Sequence, residues 1–172
     1  MDKKIRRKSN IKYYAGIGSR ETPPDVLRQM TKIANRLHEL NYWLRSGGAN
    51  GADLAFEDGA QNKKEIYLPW KGFNKSNSEF FEVSKEALEL SSQFHPYWHN
   101  LKEYARLLHG RNAYQVLGKD LKTPSDFIIC WTKGGKEIGG TAQAIRIAKY
   151  FKIKVYNLAI DNDIKEITER IY

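Results

Sequence analysis

The chain has 172 residues with 29 Lys+Arg against 20 Asp+Glu, a formal charge of +9, and is 41% hydrophobic and 12% aromatic. That length supports one domain with a layered core, and the apolar and aromatic content excludes disorder. A single cysteine, Cys130, excludes a disulfide framework and a thiolate zinc cluster, and suits a reducing, cytoplasmic compartment. No apolar run approaches the roughly 18 residues of a membrane span, and the N-terminal residues lack the apolar stretch of a secretory signal.

The charge is uneven. Lys3, Lys4, Arg6, Arg7, Lys8 and Lys12 against Asp2 give residues 1–12 a net of +5, leaving +4 for the rest. These residues read as a basic tail that either binds nucleic acid or keeps the terminus solvated, ahead of one domain over 13–172.

From Lys12 onward, strand, glycine turn and helix alternate. Tyr13 to Gly18 runs apolar and small without alternation, as a strand buried on both faces does. Thr22 is placed to cap a helix opening on Pro23-Pro24, striped by Val26, Met30, Ile33, Leu37 and Leu40. Tyr42 to Arg45 forms a second strand, followed by the loop Ser46 to Asp53 and a small-residue helix through Ala55, Phe56 and Ala60. A third strand, Glu65 to Leu68, stops at Pro69, and Trp70 to Ser78 reads as a loop. Helical patterning resumes through Phe80, Phe81, Val83, Ala87 and Leu90, and Pro96 is expected to open a helix running through Leu108 into Arg111 to Leu117. Asp126 to Trp131 is a continuous apolar strand, the loop Gly134 to Thr141 opens a helix over 142–150, Val155 to Leu158 is a last strand, and Ile164, Ile167 and Ile171 stripe a closing helix. The pattern predicts an α/β fold: a single Rossmann-like domain with an open, mostly parallel sheet and helices on both faces.

In such a sheet, ligands bind beyond the carboxyl ends of the strands. Three of those ends carry distinctive loops, Gly16 to Arg20, Ser46 to Asp53 and Gly134 to Thr141, and two lead into helix N-termini, where free N–H groups favour phosphate. The bland alternative is that the glycines only make tight turns. A dinucleotide fingerprint is absent, because Glu21 stands where the third glycine belongs and the second strand ends Arg45-Ser46-Gly47 without an acid for a ribose. Neither loop has the Gly-Lys-Ser/Thr ending of a P-loop, and no cofactor is expected.

Four segments in order, Ala15 to Arg20, Ser46 to Asp53, Leu108 to Ala113 and Gly139 to Gln143, resemble the SLOG superfamily of Rossmann proteins. That superfamily includes the LONELY GUY phosphoribohydrolases, also described as lysine decarboxylase-like, and the Rossmann domain of the DNA-processing protein DprA. The resemblance spans about residues 13–160 and makes Arg111 the counterpart of the hydrolases' arginine, with Asn112 where they have lysine. It departs from them where they carry a glutamate three residues after the loop threonine: this chain has Ala144, with Gln143 one residue earlier. Stabilising an oxocarbenium-like centre calls for a carboxylate, which an alanine or an amide does not supply. Glu137 is the leading substitute, with Asp53 and Glu21 in neighbouring loops as others.

The resemblance therefore implies a nucleotide-derived ligand, phosphoribosyl or ADP-ribose-like and including cyclic nucleotide signals, bound without turnover by a sensor or a sequestering sponge. Gly18, Ser19, Ser46, Gly47, Gly48, Gly139, Gly140 and Thr141 would form the phosphate loops, Arg20 and Arg111 would neutralise charge, and Asn50, Asp53, Asn112 and Gln143 would address ribose or base. Trp131 ends the central strand at the ligand edge, where its ring either stacks a base or packs in the core. Two alternatives follow from the same likeness: a nucleotide N-glycosidase using a displaced carboxylate, and a DprA-like single-stranded DNA binder. A homodimer or larger homo-oligomer is also implied. His95 and His99 lack a third ligand and read as surface or packing residues, so no metal is expected; Cys130 reads as a buried, inert thiol, and Trp70 and Phe73 as packing or lid residues.

Overall fold

The computed structural model describes residues 11–172, so of the basic segment only Ile11 and Lys12 fall within it, and Lys12 already belongs to the first strand. Five strands form one all-parallel sheet: β1 (Lys12–Gly16), β2 (Tyr42–Ser46), β3 (Lys64–Ile66), β4 (Phe127–Cys130) and β5 (Lys154–Asn157), in the order β3-β2-β1-β4-β5. Between them run α1 (Pro24–Glu39), α2 (Ala52–Ala60), α3 (Lys85–Ser92), α4 (Glu103–Leu117) and α5 (Gly139–Tyr150), and α6 (Asp161–Ile171) follows β5. This is the predicted α/β architecture, with β1 and β4 central.

Strand alternation divides the core into two faces. Tyr14, Leu44, Phe127 and Ile129 point toward Met30, Ile33 and Leu37 of α1, Phe56 of α2 and Ile167 of α6. Ala15, Ile128 and Cys130 point the other way, onto Val116 and Leu117 of α4 and Ile145 and Ile147 of α5. All four residues of β4 are buried, which is why that segment reads as an unbroken apolar run. Burying one such side chain stabilises the fold by roughly 1.5–3 kcal/mol.

Three local expectations are corrected. Thr22 does not cap α1: its hydroxyl donates to the Ser19 carbonyl at 2.6 Å, holding the loop after β1, and Pro23 occupies the cap position. Phe80 and Phe81 are not helical. The Leu68 amide, beyond the end of β3, donates to the Phe80 carbonyl at 2.7 Å, and α3 starts only where the Ser84 hydroxyl accepts from the Ala87 amide at 3.1 Å. Pro96 does not open α4 either. His95 Nδ1 accepts from the Tyr97 amide at 3.1 Å to make a tight turn, and a short 3-10 turn, Trp98–Asn100, precedes the continuous helix from Glu103.

The sheet order reverses between β1 and β4, since the chain moves outward from β1 through β2 and β3 and then returns to pair β4 on the other side of β1. The loops leaving β1 and β4 therefore part company, opening a crevice at their carboxyl ends.

Candidate ligand cleft at the switch point

A cleft of about 680 Å³ occupies that crevice. Its walls come from the loop after β1 (Gly18 to Glu21), the start of α2 (Asp53), the turn at Trp70 and Phe73, one face of α4 (Tyr104, Leu108, Arg111, Asn112, Gln115), Lys133 after β4, and the start of α5 (Gly139 to Thr141 and Ala144). The α4 residues recur at helical spacing, so one helix supplies both the apolar and the polar part of the wall.

Arg111 is the centre of this arrangement. Buried to 7% exposure, it donates through Nη1 to the carbonyls of Gly47 and Tyr67 and through Nε to Asn112 Oδ1 at 2.9 Å. Its guanidinium lies 5.6 Å from the centre of the Phe73 ring. Gly47 lets the guanidinium lie close, because a β-carbon there would have to displace the ends of the Gln115 and Arg111 side chains. Asp53 is buried and accepts from the Ala49 amide at 3.2 Å. Burial raises its carboxyl to about 6, against the opposing pull of Arg111 and the Ala49 and Gly47 amides. Burial likewise lowers the Arg111 guanidinium, with Asp53 opposing.

Two further contacts tie the walls together. Asn112 Nδ2 donates to the Gly140 carbonyl at 3.3 Å, joining α4 to the start of α5. Asn74 Nδ2 donates to the Gly48 carbonyl at 2.9 Å and to Asn50 Oδ1 at 3.0 Å, clamping the Trp70–Phe73 turn onto the loop after β2. Gly139 and Gly140 are exposed, with open space where a β-carbon would stand, so the N-terminal amides of α5 are accessible from the cleft.

The predicted site residues divide into those facing the cleft and those that build it. Gly18, Ser19, Arg20, Asp53, Arg111, Asn112, Gly139, Gly140 and Thr141 line it. Ser46, Gly47, Gly48 and Asn50 shape the loop behind: the Ser46 hydroxyl donates to the Gly16 carbonyl at 2.6 Å, tying β2 to β1. Gln143 faces away from the cleft, donating to the Ser91 carbonyl at 2.9 Å and accepting from Arg146 at 2.9 Å, because its position on α5 points toward α3. Glu137 pairs with Lys149 at 2.8 Å along the flank of α5 instead of entering the cleft, where the carboxylates are Asp53 and Glu21. Trp131, one residue past β4, is partly buried against the core cluster that holds Tyr14, Phe127 and Ile129, and is not part of the cleft wall.

The cleft lining also holds Lys133 and His109, which the sequence did not single out, and Trp70 and Phe73, which it gave only as packing or lid residues. Lys133 had a signal, just past β4 and next to the glycine pair Gly134-Gly135; the choice between packing and lid for the aromatic turn had none, because the Asn74 clamp that holds it at the cleft is a long-range contact. His109 lies with its ring 4.5 Å from that of His95, and its buried Nδ1 has no hydrogen-bond partner among the described residues. Burial, with His95, Arg146 and Arg111 nearby, holds it down to about 4, so it is neutral at physiological pH. Burial pushes the Cys130 thiol up to about 12, as an inert thiol requires. Among the described residues no group of three or more His, Cys, Asp or Glu is placed to hold a metal ion, and no helix is long and apolar enough to cross a membrane.

Fold and cleft together define a doubly wound α/β protein with a cleft of mixed polar and apolar lining at its switch point. No protein-family model matches the chain, and no curated protein matches it in sequence. Among solved structures it is similar to DNA processing protein A from Helicobacter pylori, described for a unique single-stranded DNA binding mode, with a TM-score of 0.56 and 17% identity over 92% of this chain and 72% of that one. At that identity the likeness is one of fold, a Rossmann-like parallel sheet.

Proposed function

We propose that the cleft binds a nucleotide-derived small molecule through its phosphate and does so without turnover, as a sensor or a sequestering protein. The observation that carries this reading is the meeting of the open α5 N-terminus with Arg20, Arg111 and Lys133 in one cleft. Helix amides and exposed cationic side chains such as Arg20 and Lys133 are the groups that recognise phosphate, while Arg111, whose Nε and Nη1 are spent on Asn112, Gly47 and Tyr67, adds its positive charge from the wall. Absence of turnover is supported by Ala144, whose methyl group stands in the cleft wall where a phosphoribohydrolase would place its glutamate. Asp53 is spent on backbone amides beside Arg111, which makes it a poor replacement.

The test is mass spectrometry of compounds released by denaturing the purified protein, followed by incubation of those compounds with fresh protein. Intact recovery of a phosphate-bearing nucleotide derivative supports the reading. Conversion to free base and a ribose phosphate overturns the absence of turnover and directs attention to Asp53 and Glu21.

A second reading, single-stranded DNA bound across the same face, draws on the fold of the Helicobacter pylori protein and on the exposed aromatic rings of Trp70 and Tyr104 at the cleft rim. Its mark is an affinity for oligothymidylate that falls steeply with salt and survives removal of residues 1–10. Binding that disappears with those residues is electrostatic attraction to the basic segment and counts against it.

A further inference from the structure

Within the nucleotide reading of the cleft, on which this inference rests, we propose that the heteroaromatic base of the ligand seats against Trp70 and Phe73. The two rings meet edge to face, with centroids 5.3 Å apart and planes at 90°. Trp70 is 38% exposed and Phe73 half-buried, so both surfaces are accessible from the cleft they line.

Their placement relative to the phosphate groups follows from two neighbours on α4. Asn112 reaches the Gly140 carbonyl on the α5 side, while Arg111 lies against the Phe73 ring on the other. Arg111 and Asn112 therefore stand between the helix N-terminus and the aromatic turn. A ligand whose phosphate takes the α5 amides passes over these two residues and meets Phe73 and Trp70 at its other end. Leu108 and Tyr104, one and two turns earlier on the same face of α4, extend this apolar wall.

The turn is held to this position from outside the cleft. Asn74 takes a left-handed backbone conformation, with φ of 50°, and spends its side-chain amide on the Gly48 carbonyl and on Asn50. An asparagine adopts that conformation more readily than other side chains, and its amide turns the aromatic pair into a fixed wall instead of a loose flap. Preorganised rings bind a planar base at small entropic cost. Trp131 does not line the cleft, whereas Trp70 and Phe73 do.

The experiment is calorimetric titration of the intact protein with adenosine 5′-monophosphate and with ribose 5-phosphate, repeated on Phe73→Leu and Trp70→Leu, with circular dichroism confirming that each variant is folded. The wild type is expected to prefer the nucleotide by about tenfold or more, the usual scale for one stacked base. Both variants should lose most of that preference and keep the affinity for ribose 5-phosphate. A preference that persists unchanged in both folded variants overturns the aromatic seat and leaves phosphate binding standing. Failure of the wild type to bind either compound overturns the nucleotide reading itself.

Discussion

Arg111 on α4 donates to the backbone carbonyl of Gly47, 64 residues earlier in the chain, and so fixes the loop after β2 from the opposite layer of the fold. The same guanidinium bonds the Tyr67 carbonyl and neutralises the field at Asp53. A residue that looks from its motif like a ligand contact is thus also a structural pin, and mutating it tests both roles.

Arg111→Ala leaves two buried carbonyls short of a donor and Asp53 without its countercharge, and is expected to cost about 3 kcal/mol of stability in urea unfolding. Arg111→Lys retains the charge but loses the fork, and should lie between the two. A loss below about 1 kcal/mol for the alanine variant would show that the loop has another anchor.

Gly140→Ala separates binding from folding. The backbone there is not left-handed and open space surrounds the added methyl group, so the variant should be about 0.4–1 kcal/mol more stable by thermal unfolding. The same methyl group sits at the open α5 N-terminus and should weaken binding of phosphate-bearing ligands by about tenfold in titration calorimetry. Unchanged ligand affinity would remove the α5 N-terminus from the site.

Asp53 should give an unusual pH dependence. Its folded-state carboxyl, raised to about 6 by burial, holds a proton more tightly than the unfolded one. Between about pH 4 and pH 6 the folded state binds more protons, so this group's contribution to stability falls as pH rises and is lowest above that window. Asp53→Asn, which keeps an oxygen for the Ala49 amide, should therefore gain in melting temperature relative to wild type on going from pH 4 to pH 7. An equal difference at both values would contradict the raised carboxyl.

His109 acts in the opposite sense. Lowered to about 4 from 6.5, chiefly by burial and further by His95, Arg146 and Arg111, it is neutral in the fold where the unfolded chain would already be charged. Its contribution is intact above about pH 6.5 and is lost progressively as pH falls toward 4. His109→Gln is expected to narrow the loss of melting temperature between pH 7 and pH 4.5. If acid sensitivity is the same in the variant, His109 is not one of the groups that charge on acid unfolding.

Hydrophobic period and turn chemistry determine the architecture of this protein without reference to any contact. The unbroken Phe127 to Cys130 run demands a strand covered on both faces, the Met30, Ile33 and Leu37 stripe demands a docked helix, and glycine loops after three strands mark the edge where the cleft opens. These are local properties of the chain, and they hold whatever the neighbours are. Long-range contacts decided the direction of side chains that two elements compete for. Gln143 turns to Ser91, 52 residues earlier, Glu137 to Lys149 along the flank of α5, and Trp131 to the core, while the Asn74 clamp brings Trp70 and Phe73 to the cleft. A motif names the loop; which of its side chains faces the ligand depends on where buried polar groups find their partners, and only the packed layers settle that.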